Sequence, residues 1–524
     1  MTTSIKLPRA PVQTTRSPEV IIIGAGIAGL AAALRLAGRG IAVKIIEKEA
    51  YVGGKLHQAQ TPLGPVDVGP TVFTMRWVFE RLFSEANETL DHWLVSKQLD
   101  CLAHHRWADG SRLNLYADPQ RSRDEIGSFA GLEEAQNFDH FLRDTRNLHD
   151  VLLKSFMQVD QPGLAGLIRG LGFPGLLTLS QTSPFRSLQQ QLERYFRDPR
   201  LLQLFGRYAT YCGASPYAAP ASLALIAHVE QAGVWSIEGG MGQLARALRL
   251  AAERKGAQFV LGERVTRIHT AGAAVQSIEL ASGESLPCTQ LILNADTNAL
   301  RQGLFGAEIA AECGLSPRRE RSLSAITWSG TMTANDRNLQ HHNVFFSENY
   351  AAEFRQLFTL QQIPAEPTVY LCAPDRPQSV VDPKTRERMF VLINAPATGD
   401  QRAAGGLKAE LASARSATQK QLARCGIHLN LDAEGFATAT PVDFHQRFPA
   451  TGGALYGAAT HGWRAAFQRP GNRTRIAGLY LAGGSVHPGP GVPMAALSGM
   501  SAASRVLADL GKRVGPSLPR AAHA

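Results

Sequence analysis

The 524-residue chain contains no run of 18 or more apolar residues free of charge, so no segment reads as a membrane-spanning helix. Its opening stretch, MTTSIKLPRAPVQTTRSPE, lacks the apolar core of a secretory signal, and the protein is expected in the cytoplasm. Cysteine is scarce. The six cysteines, at positions 101, 212, 288, 313, 372 and 425, form no CxxC pair, which argues against zinc or a redox dithiol and predicts buried thiols. The pair His341-His342 has no carboxylate or cysteine at ligand spacing. It is expected in a surface loop, and no metal is expected.

Acidic residues are also in deficit, 44 against 54 Lys and Arg, which gives a formal charge of +10. Such a surplus points to an anionic partner, either nucleic acid or lipid headgroups. Its distribution separates the two. Between Lys154 and Arg207, basic residues at 154, 169, 186, 194, 197, 200 and 207 meet only Asp160, Glu193 and Asp198. The apolar residues among them include Leu164, Leu167, Leu171, Leu176, Leu177 and Leu179. Leucine-rich wedges flanked by arginine fit the surface of a membrane better than a nucleic-acid groove, where aromatics stack on bases. Phe185, Tyr195 and Phe196 are the aromatics that bear on the groove reading, and nucleic acid is not the expected partner. A basic helical subdomain packed on its own core would show the same pattern.

What is present is concentrated at the two ends. Residues 20 to 54, VIIIGAGIAGLAAALRLAGRGIAVKIIEKEAYVGG, read as an apolar strand, a glycine turn, an amphipathic helix, a second apolar strand ending in Glu47, and a glycine pair. In the turn, Gly24 permits the tight bend, Gly26 lets backbone approach a pyrophosphate, and Gly29 allows close helix-to-strand packing. The helix that follows points its positive N-terminus at phosphate. Ile27, Leu30, Ala31 and Leu34 form one apolar stripe for the sheet. Glu47, 18 residues beyond Gly29, is placed to accept hydrogen bonds from both hydroxyls of an adenosine ribose. These residues alone leave NAD open.

The C-terminal end favours flavin. Gly478-Leu479-Tyr480-Leu481-Ala482-Gly483-Gly484 again runs a strand into a glycine turn, followed by HPGPGVP and a small-residue helix over 494–510. Pro493 suits the first helical position, where no amide donor is wanted. The N-terminal amides of that helix suit the negative edge of a reduced flavin.

Size and 44% hydrophobic content allow two or three compact units. We read 1–17 and 514–524 as tails. A discontinuous cofactor domain takes 18–100, 231–300 and 456–513. A substrate domain takes 101–145 and 301–455, where SAITWSGTM, TVYLCA and MFVLINA suggest a sheet. A helical membrane and substrate-entry subdomain takes 146–230, broken at Pro162, Pro174, Pro184 and Pro199. A helix opens at Gly239-Gly240-Met241 and ends near Lys255, and a strand over 258–261 is expected to continue through Glu263-Arg264-Val265. Short strands at 277–280 and 290–293 are expected to flank a turn at Ser282-Gly283.

The combination of VIIIGAGIAGL, Glu47, YVGGK, VDVGPTVFTM and GLYLAGG with HPGPGVP resembles the bacterial-type carotenoid desaturases, within the amine-oxidase-like flavoproteins. The likeness spans nearly the whole chain. DVGPTVFTMRWVFERLF and LFGRYATYCGASPYAAP are more similar to the 1-hydroxycarotenoid 3,4-desaturases (hydroxyneurosporene or methoxyneurosporene dehydrogenases) than to phytoene desaturases. The resemblance implies an α/β fold, with a Rossmann-type FAD-binding domain, an inserted α+β substrate domain and a helical membrane-associated subdomain. It implies FAD contacts at Gly24, Gly26, Gly29, Glu47, Gly54, Lys55, Val265, Gly483 and Gly484, with Pro493 opening the last helix. Lys55 stands where relatives often carry arginine, keeping a charge for phosphate without the bidentate fork. Asp67 to Thr71 is expected near the flavin ring.

The implied reaction is insertion of a C-3,4 double bond into an acyclic 1-hydroxy or 1-methoxy carotenoid, with hydride passing to flavin N5 and loss of the vicinal proton. Alignment, a dry tunnel and a proton acceptor fall to the protein. His487 is a candidate for handling the proton. A polar partner for the 1-hydroxyl is expected at the far end of an apolar tunnel, and His228, Glu230, Arg207 and Tyr211 lie in or near the stretch concerned. The tunnel is expected to open on the inner face of the cytoplasmic membrane, with a quinone or oxygen taking the electrons. A phytoene desaturase and a redox-neutral carotenoid isomerase are the nearest alternatives. An amine oxidase needs an aromatic cage that the few Trp and Tyr do not announce.

Overall fold

The computed structural model describes residues 20–159, 185–315, 319–334, 336–376, 385–401, 404–432 and 436–511. Its organising element is a five-stranded parallel sheet in the order β19-β13-β1-β2-β9. The strands are β1 (Val20–Ile23), β2 (Val43–Glu47), β9 (Gln258–Leu261), β13 (Leu291–Leu293) and β19 (Leu479–Leu481). Three distant stretches of chain therefore meet in one sheet. Both faces of β1 are buried, which is why it reads as an unbroken apolar run. Val20 and Ile22 face one core and Ile21 and Ile23 the other, as the two-residue period of a strand requires.

On the first face lie the helix Ile27–Ala37, the helix Gly242–Arg254 and the C-terminal helix Val492–Asp509. The first of these was expected to show one apolar stripe, yet every residue from 27 to 37 is buried, because neighbouring helices cover the side away from the sheet. Arg35 is accommodated there by an ion pair to Glu85 at 2.9 Å and a hydrogen bond from Nη1 to Met500 O at 2.7 Å. The C-terminal helix starts at Val492, two residues before the expected 494, so Pro493 follows its first residue.

The second face is closed by a three-stranded sheet of β10 (Val265–Ala271), β11 (Ala274–Leu280) and β12 (Ser285–Pro287). Two sequence expectations change here. The strand at 258–261 does not continue through Val265. Gly262, at φ +75°, ends β9, and β10 departs into the other sheet. The turn at Ser282-Gly283 joins β11 to β12, whereas β13 returns to the parallel sheet.

A seven-stranded sheet in the order β18-β14-β17-β16-β15-β6-β7 forms a separate layer. It comprises β6 (Cys101–Arg106), β7 (Arg112–Tyr116), β14 (Ser324–Thr333), β15 (His342–Phe345), β16 (Val369–Cys372), β17 (Arg386–Ala395) and β18 (Ala437–Ala439). The three runs read as sheet in the sequence are β14, β16 and β17. Two short pairs complete the strands, β3 (Gln58–Thr61) with β4 (Gly64–Asp67), and β5 (Ser96–Gln98) with β8 (Trp235–Ile237).

Helices dominate the described parts of 146–230, and Pro199 opens one of them, Pro199–Gly206, with Asp198 capping the amide of Arg200. Most of the leucine-rich wedge, Arg169, Pro162, Pro174 and Pro184 lie outside the described residues, as do both tails. No helix among the described residues is long and apolar enough to cross a membrane.

His341-His342 is not a surface loop. Both residues are buried, at 8% and 3% exposure, because His342 opens β15 inside the sheet. The expectation failed because Cys372 is brought opposite His342 by antiparallel pairing from thirty residues away. Ligand atoms of His341, His342 and Cys372 lie within 4.8 Å of one another. Those of His149, Asp150 and His228 do likewise. Cys288, Cys313, Cys372 and Cys425 are buried free thiols as expected, whereas Cys101 and Cys212 are half-buried.

Candidate cofactor and substrate cavity

Backbone at the tip of β1 is packed against the tip of β13. Asn294, just after β13, donates from Nδ2 to Gly24 O at 3.1 Å. A methyl on Gly24 would stand 2.6 Å from Asn294 O, and one on Gly29 would stand 2.1 Å from Gly24 O. The glycines are therefore fixed by a residue that the sequence marked only as the end of a strand. Glu47, at the end of β2, accepts the amide of Ala25 on Oε2 at 2.6 Å and that of Glu49 on Oε1 at 3.0 Å. It lines the cavity nevertheless, since each carboxylate oxygen has a second lone pair.

The cavity has a volume of about 1200 Å³. Gly24, Gly26, Glu47, Gly54, Lys55, Val265, Gly483, Gly484 and Pro493 all border it; Gly29 lies behind, inside the turn. The helices Ile27–Ala37 and Val492–Asp509 both begin at its edge with a glycine N-cap, no side-chain cap and no acidic residue in the first turn. Uncapped amides facing a cavity, with a carboxylate at the neighbouring strand end, suit a pyrophosphate and a ribose. The residues present thus fit a dinucleotide.

Lys55 borders the same space, but its ammonium donates to Leu455 O and lies 5.2 Å from the centre of the Phe448 ring. Burial pushes its pKa down, and Asp296 opposes that shift. Val68, Gly69, Pro70 and Thr71 line the cavity, whereas Asp67 turns away. Its carboxylate accepts the amides of Met241 at 2.7 Å and Gly242 at 3.2 Å, so it anchors the start of the helix Gly242–Arg254. Burial raises the Asp67 pKa and these bonds pull it back.

Arg469 is a residue that the sequence did not announce. It is buried, has no carboxylate partner among the described residues, and donates to Gly484 O at 3.1 Å, Tyr456 O at 3.3 Å, Ala458 O at 2.9 Å and Thr460 Oγ1 at 3.2 Å. It therefore holds the second glycine turn to the segment 456–460. His487 does not border the cavity; its Nε2 hydrogen-bonds Phe156 O at 2.9 Å.

Beyond the glycine turns the wall becomes largely apolar, with Leu152, Phe156, Leu223, Ile226, Val229, Val344, Phe390 and Leu392. Polar side chains such as Thr327, Thr368 and Asn394 also line it, and two hydrogen-bonded groups interrupt it. Thr71 Oγ1 and Tyr370 OH lie 2.6 Å apart, and Tyr370 OH lies 2.7 Å from His342 Nδ1, whose ring burial keeps neutral. The other joins Arg207, Tyr208, Tyr211 and Glu230. Tyr208 OH donates to Glu230 Oε2 at 2.8 Å, Tyr211 OH donates to Glu230 Oε1, and Arg207 Nη1 donates to Tyr211 OH at 3.2 Å. Arg207 therefore does not belong to a basic outer surface. His228 lies apart from the cavity, with its ring 4.8 Å from that of His149.

A parallel sheet with glycine turns after two strands, a carboxylate after a third, and one cavity reaching from them into an apolar channel defines a flavoprotein oxidoreductase. A family model for flavin containing amine oxidoreductases matches residues 27–507. Hydroxyneurosporene desaturase of Rubrivivax gelatinosus is 45% identical over 94% of each chain, and that of Rhodobacter capsulatus is 41% identical over 94% of this chain and 98% of its own. The 4,4'-diapolycopene oxygenase of Methylomonas is 29% identical over 94% and 98%. Among solved structures, putrescine oxidase bound to putrescine has a TM-score of 0.58 at 15% identity, covering 94% of this chain and 99% of its own, which is a likeness of fold. The chain belongs to the flavin-containing amine oxidoreductase family and, within it, to the carotenoid desaturases.

Proposed function

We propose that the protein is an FAD-dependent desaturase that introduces a C-3,4 double bond into acyclic carotenoids bearing a 1-hydroxy or 1-methoxy end group. The observation that carries this reading is a cavity that borders the dinucleotide cradle at Gly26 and Glu47 and also takes in an apolar wall and the Arg207 cluster. A redox cofactor and a long apolar substrate would share that space. The names of the most similar relatives support the same substrate class.

In this reading Glu47 holds the adenosine ribose, and the amides after Gly24 and Gly26 hold the pyrophosphate. Gly54, Lys55, Val265, Gly483, Gly484 and Pro493 border the rest of the cofactor. Bound FAD supplies the hydride acceptor, chemistry that no side chain provides. The chain aligns two adjacent saturated carbons against it, and the apolar wall keeps water from the cation that the polyene delocalises. The domain division of the sequence reading stands as part of this proposal.

Peripheral binding to the inner face of the cytoplasmic membrane belongs to the proposal too, with a quinone or oxygen as electron acceptor. Phe185, 76% exposed, stacks edge-on against Trp463 at 5.4 Å, and both border the cavity. Arg186 and Arg194, on the same stretch, are exposed. Changing both to Glu is expected to weaken sedimentation with anionic vesicles, and unchanged sedimentation counts against the membrane arm.

The function is tested by incubating FAD-loaded protein in liposomes, with and without air, with 1-hydroxyneurosporene or phytoene. A two-hydrogen mass loss and a red shift with the hydroxylated polyene alone support the proposal. Conversion of phytoene makes the protein a phytoene desaturase, and a spectral change without mass loss makes it an isomerase.

A further inference from the structure

We propose that Arg207, held by Tyr211 and Glu230, is the specificity site that receives the oxygen on C-1 of the substrate. The inference rests on the carotenoid reading above and names the group that selects within that class.

The argument begins with hydrogen-bond accounting. Glu230, 4% exposed, accepts a tyrosine hydroxyl on each carboxylate oxygen. Arg207, 8% exposed, uses Nη1 on Tyr211, while its Nη2 stands 3.6 Å from Glu230 Oε1, beyond hydrogen-bond reach. Its Nε and Nη2 are buried and have no hydrogen-bond partner among the described residues. The cluster therefore has two unmatched donors on Arg207, while each Glu230 oxygen already accepts a tyrosine hydroxyl, and it borders the cavity. A ligand that completes it must offer a lone pair.

Charge narrows the ligand further. Arg207 and Glu230 neutralise each other, so a neutral oxygen fits better than an anion. An alcohol and a methyl ether both supply a lone pair to an N–H, and a hydrocarbon end supplies none. A buried guanidinium stripped of water and left facing a methyl group loses its hydrogen bonds outright. This is how a site rejects a substrate that differs only by lacking an oxygen.

The position agrees with the chemistry. The C-1 oxygen is separated from C-3 by only two carbon–carbon links and its own C–O bond, so the group that reads it must adjoin the reacting carbons. That moves the expected polar contact from the far end of the tunnel to its redox end. Arg207 and Tyr211 line the same cavity as Tyr370, whose hydroxyl is 2.6 Å from Thr71 Oγ1 in the segment expected beside the flavin ring. Ile226, Val229 and Val344 supply apolar wall for the remaining polyene.

The test compares kcat/KM for a 1-hydroxy acyclic polyene with that for the same polyene ending in hydrocarbon. The variant is Arg207→Met combined with Glu230→Gln, so that no carboxylate is stranded. A preference of about 10²-fold or more in the unmodified enzyme is expected to fall below about 10-fold, through loss on the hydroxylated substrate and gain on the hydrocarbon one. Equal loss on both substrates, or an unchanged ratio, overturns the proposal. Arg207→Lys, which keeps the charge and loses the fork, guards against misfolding of the double variant and is expected to give an intermediate ratio; an unaltered ratio counts against the site.

Binding of a saturated tertiary-alcohol chain and its methyl-ended isostere to the unmodified holoenzyme, followed by flavin absorbance, provides a readout without turnover. Tighter binding of the alcohol supports the site and equal affinity overturns it. If neither polyene is desaturated the carotenoid reading fails, whereas the alcohol comparison, repeated on the double variant, where the difference in affinity is expected to vanish, still judges the Arg207 site.

Discussion

Glu47 Oε2 accepts the backbone N–H of Ala25 at 2.6 Å, so the acidic end of β2 braces the glycine turn after β1 while facing the cavity. One side chain thus shapes the phosphate cradle and, in the proposed reading, binds the ribose. Replacing it removes both. Glu47→Ala is expected to weaken FAD binding by about 1.5–3 kcal/mol, the worth of hydrogen bonds to a charged acceptor. Glu47→Gln, which keeps one acceptor oxygen, is expected to fall between. Fluorescence titration of the apoprotein with FAD measures both, and an unchanged affinity in the alanine variant refutes the assignment.

Arg469 offers a sharper case of a residue acting through backbone. Its donors reach three carbonyls and one hydroxyl, and none of these acceptors is charged. Arg469→Met would strand buried carbonyls beside Gly484, at about 1–3 kcal/mol for each group left unpaired. The expected result is a protein that loses flavin on gel filtration and melts earlier, with the melting loss larger in the FAD-saturated state than in the apoprotein. Equal loss in both states would make Arg469 a general stabiliser with no bearing on the turn.

The C-terminal helix approaches the motif helix closely at one position. A methyl on Gly499 would sit 2.0 Å from the carbonyl oxygen of Ala28, and backbone cannot yield as a flexible side chain does. Gly499→Ala is therefore expected to destabilise by about 1–3 kcal/mol, despite alanine's better helix propensity. Thermal melting of the FAD-saturated protein checks this, and a stabilised variant contradicts the packing.

These three residues also mark where the sequence was readable. The glycine turn, Glu47 and the strands β1, β2, β14, β16 and β17 were legible because their signals are local: strand apolarity, a glycine spacing, an acidic residue at a fixed distance. Asn294 against Gly24, Arg469 against Gly484 and Cys372 opposite His342 were not, because each pair is created by the fold from well-separated positions. The expected continuation of the 258–261 strand through Val265 fails at Gly262 for a related reason. An isolated glycine says that a strand bends or ends, and only the partner strands decide which. Arg207 was counted as surface charge because sequence shows a cation without showing Glu230 beside it.

A pH dependence follows from Glu353, which is buried with Oε2 accepting Ser347 Oγ at 2.8 Å and Thr368 Oγ1 at 2.7 Å, while Oε1 has no hydrogen-bond partner among the described residues. Burial raises its pKa from 4.5 to about 7 against those two bonds. Between these values the folded protein holds a proton that the unfolded chain releases. Stability therefore falls as pH rises through that window, and the loss is complete above the folded value. On the order of 3 kcal/mol is at stake by the linkage of shift to free energy. Glu353→Gln keeps an acceptor for Ser347 and Thr368 and has no charge to bury. Its melting temperature, followed from pH 5 to pH 8 at constant FAD saturation, is expected to decline less steeply than that of the unmodified protein, with the gain greatest at pH 8. Parallel pH profiles for the two proteins would show that Glu353 is ionised in the fold at neutral pH.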